Sequence, residues 1–490
     1  MSWTNKALLC LWLVLQLAGF SGAAKKPNGI TRLTMMDAVR TALERNPSIR
    51  IDKLSIQGAM ADLRARKGVF DPVFEGNAYH SYEKTEPPVI IYSPLTLTTY
   101  GSLGFSGILP PGTRYSLEWE NQLIRYGEQF GLTVNPYVQQ DLKLALTQPL
   151  LKGLGAPAQK TLVKTAAIRL DISTLRERKR AEDIAVSAAR AYWRLYQSAR
   201  ELDVARLALE LAQSILYDVR SKIQAGQLPD VDEYGAEAEV FSRNEALASA
   251  EKEFKDSQDG LREAMNLGDW NGEIVAVEPP RAITPPAMPA LNDVLSRRPD
   301  YQIAEKEARI KETDALFLKN QTLPELDVYG SSGLNGLNSN YNTALRDFRS
   351  GSFYSWEVGI NFSIPIGNRT ALGNYEKAVT EGKKALASVE QLRQAIRRQI
   401  REDRRALQVA ALVSQAASKK AIADGKLFEG EKDRFSVGLA TTTDLLKYEV
   451  DYARALSEEN KARVAAMIAA LEYRKSTGTL LDMLLPQAGQ

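Results

Sequence analysis

From Pro157 to Ala225 the chain runs with no further proline and no glycine, and this stretch constrains the fold more than any other feature. As a helix it would be roughly 100 Å long at 1.5 Å per residue, with Pro157 suited to the first turn. Leu195, Leu202, Leu209, Leu216 and Ile223 recur at heptad spacing, with Ser198, Ala205, Ala212 and Val219 in the alternate core positions. Large residues alternating with small ones let a second helix approach closely in a left-handed coiled coil. A second long helix is expected from about Ala371 to Phe435, with a less regular seam of Leu386, Val389, Ile396, Ile400, Leu407 and Ala410.

The two long helices belong to an internal duplication. Asn46-Pro47 and Asp71-Pro72 stand as far apart as Arg298-Pro299 and Leu323-Pro324. Further on, Gln148-Pro149-Leu150 is matched by Ile364-Pro365-Ile366, and Ala225-Gly226-Gln227-Leu228 through Asp232 by Val437-Gly438-Leu439-Ala440 through Asp444. Each half thus reads helix, strands, very long helix, turn, helix. The shorter helices are expected at about Pro47–Lys67 and Pro299–Leu318 before the strands, and at about Asp230–Leu267 and Thr441–Ser476 after the turns. One of each, stacked end to end, would reach about 90 Å and run alongside a long helix. The boundaries that follow are a signal peptide over 1–23, a first repeat over 24–267, a Pro-rich linker over 268–290, a second repeat over 291–477 and a tail over 478–490.

The strand segments alternate with a period of two. Trp356, Val358, Ile360, Phe362 and Ile364 interleave with Ser355, Glu357, Gly359, Asn361 and Ser363, and Leu142, Leu144 and Leu146 with Lys143, Ala145 and Thr147. Segments 73–83 and 326–336 are assigned by their equivalent places in the repeat. The first half also carries an insert, around 85–125, with two more candidate strands: Thr99 to Phe105, and Tyr115 to Trp119, joined by Leu109-Pro110-Pro111-Gly112-Thr113. These residues suit either an external flap or additional staves of the same wall.

Composition narrows the chemistry. There are 63 basic and 60 acidic side chains in 490 residues, a formal charge of +3, which gives nucleic acid no reason to bind. A single histidine, His80, excludes His-based triads and His-pair metal sites, and its strand position suits a wall or rim residue. No nucleophile–base or metal-ligand cluster and no P-loop signature is found, so no catalytic residue, metal or cofactor is expected. Lys6, the apolar run Ala7–Phe20 and the small residues Ser21-Gly22-Ala23-Ala24 read as a cleaved secretory signal. Cys10, the only cysteine, lies within it behind Leu9, unlike a lipidation site. No other segment suits a transmembrane helix: the uncharged stretch Pro87–Thr113 is broken by prolines and glycines, so any membrane insertion would use β-strands.

In the order and spacing of these motifs the chain resembles the TolC-like outer-membrane efflux proteins. The resemblance rests on the duplicated helix–hairpin–long-helix order, Asn46-Pro47, Gln148-Pro149-Leu150, and Val437-Gly438-Leu439 followed by Asp444. It implies a mainly α fold with a β-barrel portion. Long coiled-coil helices would form a periplasmic α-barrel, and a homotrimer would share one transmembrane barrel, four strands per subunit, surrounded by outer-membrane lipid. It further implies a passive exit duct working with a periplasmic adaptor (membrane fusion) protein and an inner-membrane pump or ABC exporter. Ala225, Gly226, Leu228, Val437, Gly438 and Leu439 would form the helical tips where the adaptor docks, and Asp444 would line the periplasmic constriction. Where the family often has a second acid and an Arg lock, this chain has Lys447 and Ala440, so Asp232 and Glu233 are further constriction candidates. The residues alone also offer a local reading of these acids, since Asp230 with Glu233 and Thr441 with Asp444 each fit a capping box. The rival overall reading is a periplasmic coiled-coil adaptor or scaffold without a barrel, and cell fractionation distinguishes the two.

Overall fold

The computed structural model describes residues 31–484 apart from 87–88, 90–91, 128–132 and 269–271; the expected signal segment lies outside these. The described elements are β1 (Thr31–Leu33), α1 (Met35–Arg45), α2 (Pro47–Lys67), β2 (Val73–Lys84), β3 (Leu95–Ile108), β4 (Arg114–Tyr126), β5 (Tyr137–Pro149), α3 (Gly155–Gln224) and α4 (Val231–Ala264). They continue with β6 (Ile274–Ala276), α5 (Leu291–Arg297), α6 (Pro299–Gln321), β7 (Glu325–Asn338), α7 (Tyr341–Ser350), β8 (Tyr354–Ser363), α8 (Arg369–Ser436), α9 (Thr442–Ser476) and α10 (Leu480–Leu484). The long helices have 70 and 68 residues and follow the lengths expected from the sequence. No described helix is long and apolar enough to cross a membrane.

By contact density the chain divides into two compact units, one of residues 48–180 and 290–398, the other of the remaining described residues. The first unit contains a six-stranded sheet in the order β2-β3-β4-β5-β7-β8, antiparallel throughout. Both strands of the insert are in it, between β2 and β5. The first half therefore supplies four strands to the sheet and the chain six, two more than the family resemblance implies for the barrel. A flap would pair along one edge at most, whereas β3 and β4 are laddered on both sides from end to end.

The register fixes two unlike faces. Phe74, Phe105, Leu117, Leu144, Ser332 and Trp356 lie side by side across the sheet, and the row one residue away is Glu75, Gly104, Glu118, Lys143, Gly333 and Ser355. Directly paired residues share a face, so the alternation in each strand propagates across the sheet. Every carboxylate in these strands falls on the second face: Glu75 and Glu83 of β2, Glu118 and Glu120 of β4, Asp141 of β5, Glu325 and Asp327 of β7, and Glu357 of β8. The apolar face carries charge only at strand ends, at Lys84 and Arg125. His80 lies on the apolar face of β2, its Nδ1 2.9 Å from the Thr99 hydroxyl.

Helix α7, which the sequence did not announce, lies against β5 and β7. Gly336 permits this, since a Cβ there would collide with the Ala344 carbonyl. Asn340 caps its start by accepting from the Thr343 amide at 3.0 Å, and Gly351 ends it at φ +64°.

The second unit is helical, with its core at Tyr192, Trp193 and Leu195, all fully buried. Leu202, Ser198, Ala212 and Val219 are buried as the heptad predicts, but so are Ala208 and Ile215, while Leu209 and Leu216 are only half-buried. The seam widens because the helix contributes to a cluster of more than two helices, which needs a broader apolar stripe than a two-stranded coil. In α8, Ile396, Ile400 and Leu407 are buried as expected, but Leu386 is 49% exposed. A short parallel ladder pairs β1 with β6, joining Thr31–Leu33 to the segment after α4.

Candidate functional site: the paired helical turns

Two turns link long helix to short helix, α3 to α4 and α8 to α9, and they share one backbone design. In the first, Gly226 N–H donates to the Ile223 carbonyl at 2.8 Å and Gln227 N–H to Lys222 at 2.8 Å. In the second, Gly438 N–H donates to Phe435 at 3.1 Å and Leu439 N–H to Arg434 at 2.8 Å. This is the Schellman arrangement, which satisfies the last helical carbonyls and places one residue in the left-handed region. Gly226 at φ +73° and Gly438 at φ +79° occupy that position, where a Cβ is disfavoured.

Both turns are anchored to one hydrophobic cluster. Ile215 and Val219 of α3, Ala236 of α4, Phe428 and Phe435 of α8, and Leu445 of α9 are buried together. Lys222 reaches from the first hairpin to the second, its ammonium 3.8 Å from the Phe435 ring centroid and donating to the Phe435 carbonyl. Ala225 and Gly226 are exposed, as are Val437, Gly438 and Leu439. Leu228, expected at the same surface, is half-buried and packs on the cluster instead, because the chain turns inward there to start α4.

The acids divide by role. Thr441 and Asp444 form the capping box that the sequence predicts: the Asp444 amide donates to Thr441 Oγ1 at 3.1 Å, and Thr441 Oγ1 donates to Asp444 Oδ2 at 2.6 Å. The bonds that the Asp444 carboxylate accepts from Thr441, from its Oγ1 and from its backbone N–H at 3.4 Å, hold this exposed carboxyl below its ordinary value, with Lys447 and Arg434 adding to the effect. Asp230 and Glu233 do not form the second box. Asp230 has helical backbone angles, φ −59° and ψ −24°, and no side-chain cap bond, because the chain is already turning at Pro229, whose carbonyl accepts from Asp232 N–H at 3.1 Å. Glu233 instead pairs with Arg220 at 2.7 Å, and Arg220 also holds Glu237 at 2.5 Å. Asp232 lies half-exposed in the first turn of α4.

A buried ion pair with no motif to announce it links the two return helices. Glu449 of α9 is fully buried and accepts from Arg243 Nη2 of α4 at 2.8 Å, while Glu239 stands 2.7 Å from Arg243 Nε. Burial pushes the Glu449 carboxyl up, opposed by Arg243. Among the described residues no group of His, Cys, Asp and Glu is arranged to hold a metal.

Residues 290–479 match the outer membrane efflux protein family model. No curated sequence relative matches the chain. Solved structures match nearly its whole length: CusC, at TM-score 0.65 and 13% identity over 93% of this chain and 95% of that one, and the CmeC outer membrane channel of Campylobacter jejuni, at 0.63 and 16% over 95% and 91%. The MtrE outer membrane channel of Neisseria gonorrhoeae gives 0.64 and 16% over 91% and 89%. The chain has the TolC-like fold of these structures. At such identities the likeness lies in the arrangement of elements. The TolC-like fold of this chain therefore carries its own side chains at the turns, with Ala440 half-buried against the cluster and Lys447 exposed one turn beyond Asp444.

Proposed function

We propose that this chain is an outer-membrane efflux channel, a passive exit duct that extends into the periplasm. The observation that carries the reading is the sheet. One face is apolar and exposed, with Trp356 72%, Ile360 68% and Phe362 64% accessible, while the opposite face holds the carboxylates. Such a sheet suits a wall between lipid and water, and its unpaired edges are not tolerated in lipid until they are closed by other chains. The similar chains CmeC and MtrE are outer membrane channels.

In this reading the protein is a homotrimer. Exposed apolar positions on its helices, among them Phe241 at 71%, Leu412 at 66% and Ile422 at 60%, would pack between subunits. It would serve a tripartite efflux pump or a type I secretion system, with a periplasmic adaptor and an inner-membrane pump or ABC exporter supplying energy. The two turns would be the docking tips, presenting Val437 and Leu439, each 69% exposed, to the adaptor. Asp444, with Asp232 and Glu233, would face the constriction, and threefold symmetry would gather the carboxylates into a ring that attracts cations. Capping and lining are compatible, because only one Asp444 oxygen is engaged by Thr441.

Cell fractionation tests the reading: a trimer resistant to mild SDS in the outer-membrane fraction is expected, and a soluble monomer would overturn it. In planar bilayers, Asp444→Asn should weaken divalent-cation block; unchanged block removes Asp444 from the constriction.

A further inference from the structure

The sheet is wider than a four-strand contribution, and its geometry dictates how it can close. Hairpin β3–β4 obeys the same two-faced pattern as the rest. Leu103 and Phe105 pair with Trp119 and Leu117 on the apolar face, and Ser102 pairs with Glu120 on the other. It is therefore wall and not appendage. Because the strand number is even, the two edge strands, β2 and β8, run in opposite directions. Among the described residues neither edge has a partner strand, and the two are similar in span, 12 and 10 residues. The free edge of β2 is thus complementary to that of β8 for antiparallel pairing.

A single chain cannot satisfy these edges by closing on itself. Eight strands give an interior just wide enough to be filled by side chains, and six give less. The face that would turn inward carries Glu118, Glu120, Asp141 and Lys143 in adjacent strands, with Glu120 directly opposite Asp141. Crowding like charges without water there is costly. The edges must therefore be met by other copies.

We infer that three copies close a single eighteen-stranded barrel, β2 of each pairing antiparallel with β8 of the next, six strands per copy. This rests on the trimeric reading above and adds the width. With strands about 4.8 Å apart and tilted about 40°, twelve strands enclose a backbone diameter of about 24 Å and eighteen about 36 Å. On the inner face Ser102, Gly104, Ser106, Ser116, Ala145 and Thr147 are short and leave part of that space open beside the longer Tyr79, Tyr100, Glu118 and Glu120. The outer end of the duct is then an open, acid-lined vestibule. It admits solutes that a twelve-stranded wall would exclude.

The test uses the full chain purified from outer membranes in detergent. Mass photometry first counts chains, and any number other than three sinks the trimeric reading itself. For a trimer, electron cryo-microscopy of the barrel cross-section should then show eighteen staves about 36 Å across. Twelve staves, with β3–β4 outside the wall, would overturn the width while leaving the trimer intact. Deleting residues 95–136, so that residues 85–94 connect β2 to β5, should lower the size limit for poly(ethylene glycol) entering from the outer side. An unchanged limit would count against the proposal. If that variant does not assemble, crosslinking decides, since the only cysteine of the sequence is Cys10. Asn77→Cys, combined in turn with Ser355→Cys, Asn361→Cys and Ser363→Cys, should give disulfide-linked dimers and trimers for at least one pair. No crosslink in any combination would overturn the β2–β8 seam.

Discussion

The turn between α3 and α4 and the turn between α8 and α9 are the same loop with different locks. Both end a long helix in a Schellman turn on a left-handed glycine, and both rest on one cluster. The second turn is then fixed locally, by the Thr441–Asp444 box at the start of its return helix. The first has no cap, and its return helix is tied back to the outgoing one through Arg220 with Glu233 and Glu237. The two turns share what the backbone needs and differ in their side-chain solutions. A cap works through short hydrogen bonds, whereas an exposed ion-pair clamp is open to salt.

The largest expected effect falls on the link between the two return helices. Glu449→Ala leaves Arg243 buried beside Glu239 without its main partner, and the loss should be about 3 kcal/mol, read as the shift of the denaturant or thermal midpoint of the purified protein. A loss well below 1 kcal/mol would show that the pair is not holding the return helices together. Next come Gly226→Val and Gly438→Val, each forcing a β-branched residue into the left-handed region at about 1–2 kcal/mol. Equal penalties are expected, and a marked difference would break the claim that the turns are equivalent.

Smaller effects separate the locks. Thr441→Ala should cost about 1 kcal/mol, whereas Asp230→Ala, which removes no cap bond, should leave stability unchanged. Similar losses for both would mean that the first turn caps in solution. The Asp444 carboxyl titrates below its ordinary value in the folded chain, so its contribution is present above the usual carboxylate range and is lost as pH falls through the folded value. The stability difference between wild type and Asp444→Asn should therefore shrink on acidification below about pH 4; a difference that grows there has the wrong sign. Last, Arg220→Ala should speed hydrogen exchange in residues 225–235 at low salt but not at high salt, with 437–445 unaffected.

These contrasts also mark what the sequence makes legible. Glycine at a left-handed position and Thr followed by Asp at box spacing are local signals, and both hold at the second turn. Asp230 and Glu233 have the same spacing, yet a box also needs an extended backbone at its first residue, and Pro229 sets a turn there instead. Arg220 finds Glu233 only because the hairpin folds back, and Glu449 meets Arg243 across two helices, so neither contact has a sequence signature. The strands of the insert were readable from alternation, but their place between β2 and β5 depends on pairing partners far along the chain. Ladder β1–β6 is three residues long and joins segments more than two hundred residues apart, too short and too distant to leave a pattern.

The parity of the sheet carries a last consequence. Its chain arrives at β2 from one helix and leaves β8 for another, and both connections lie at the same end only because the strand count is even. A single added strand would send the outgoing helix to the opposite end, away from everything it packs with, whereas a hairpin returns the chain to where it started. Such a wall can grow or shrink only in steps of two strands per copy. In the proposed barrel the bore would accordingly be a stepped quantity: an insertion such as β3–β4 would change calibre by a whole increment and leave the direction of the outgoing helix as it was.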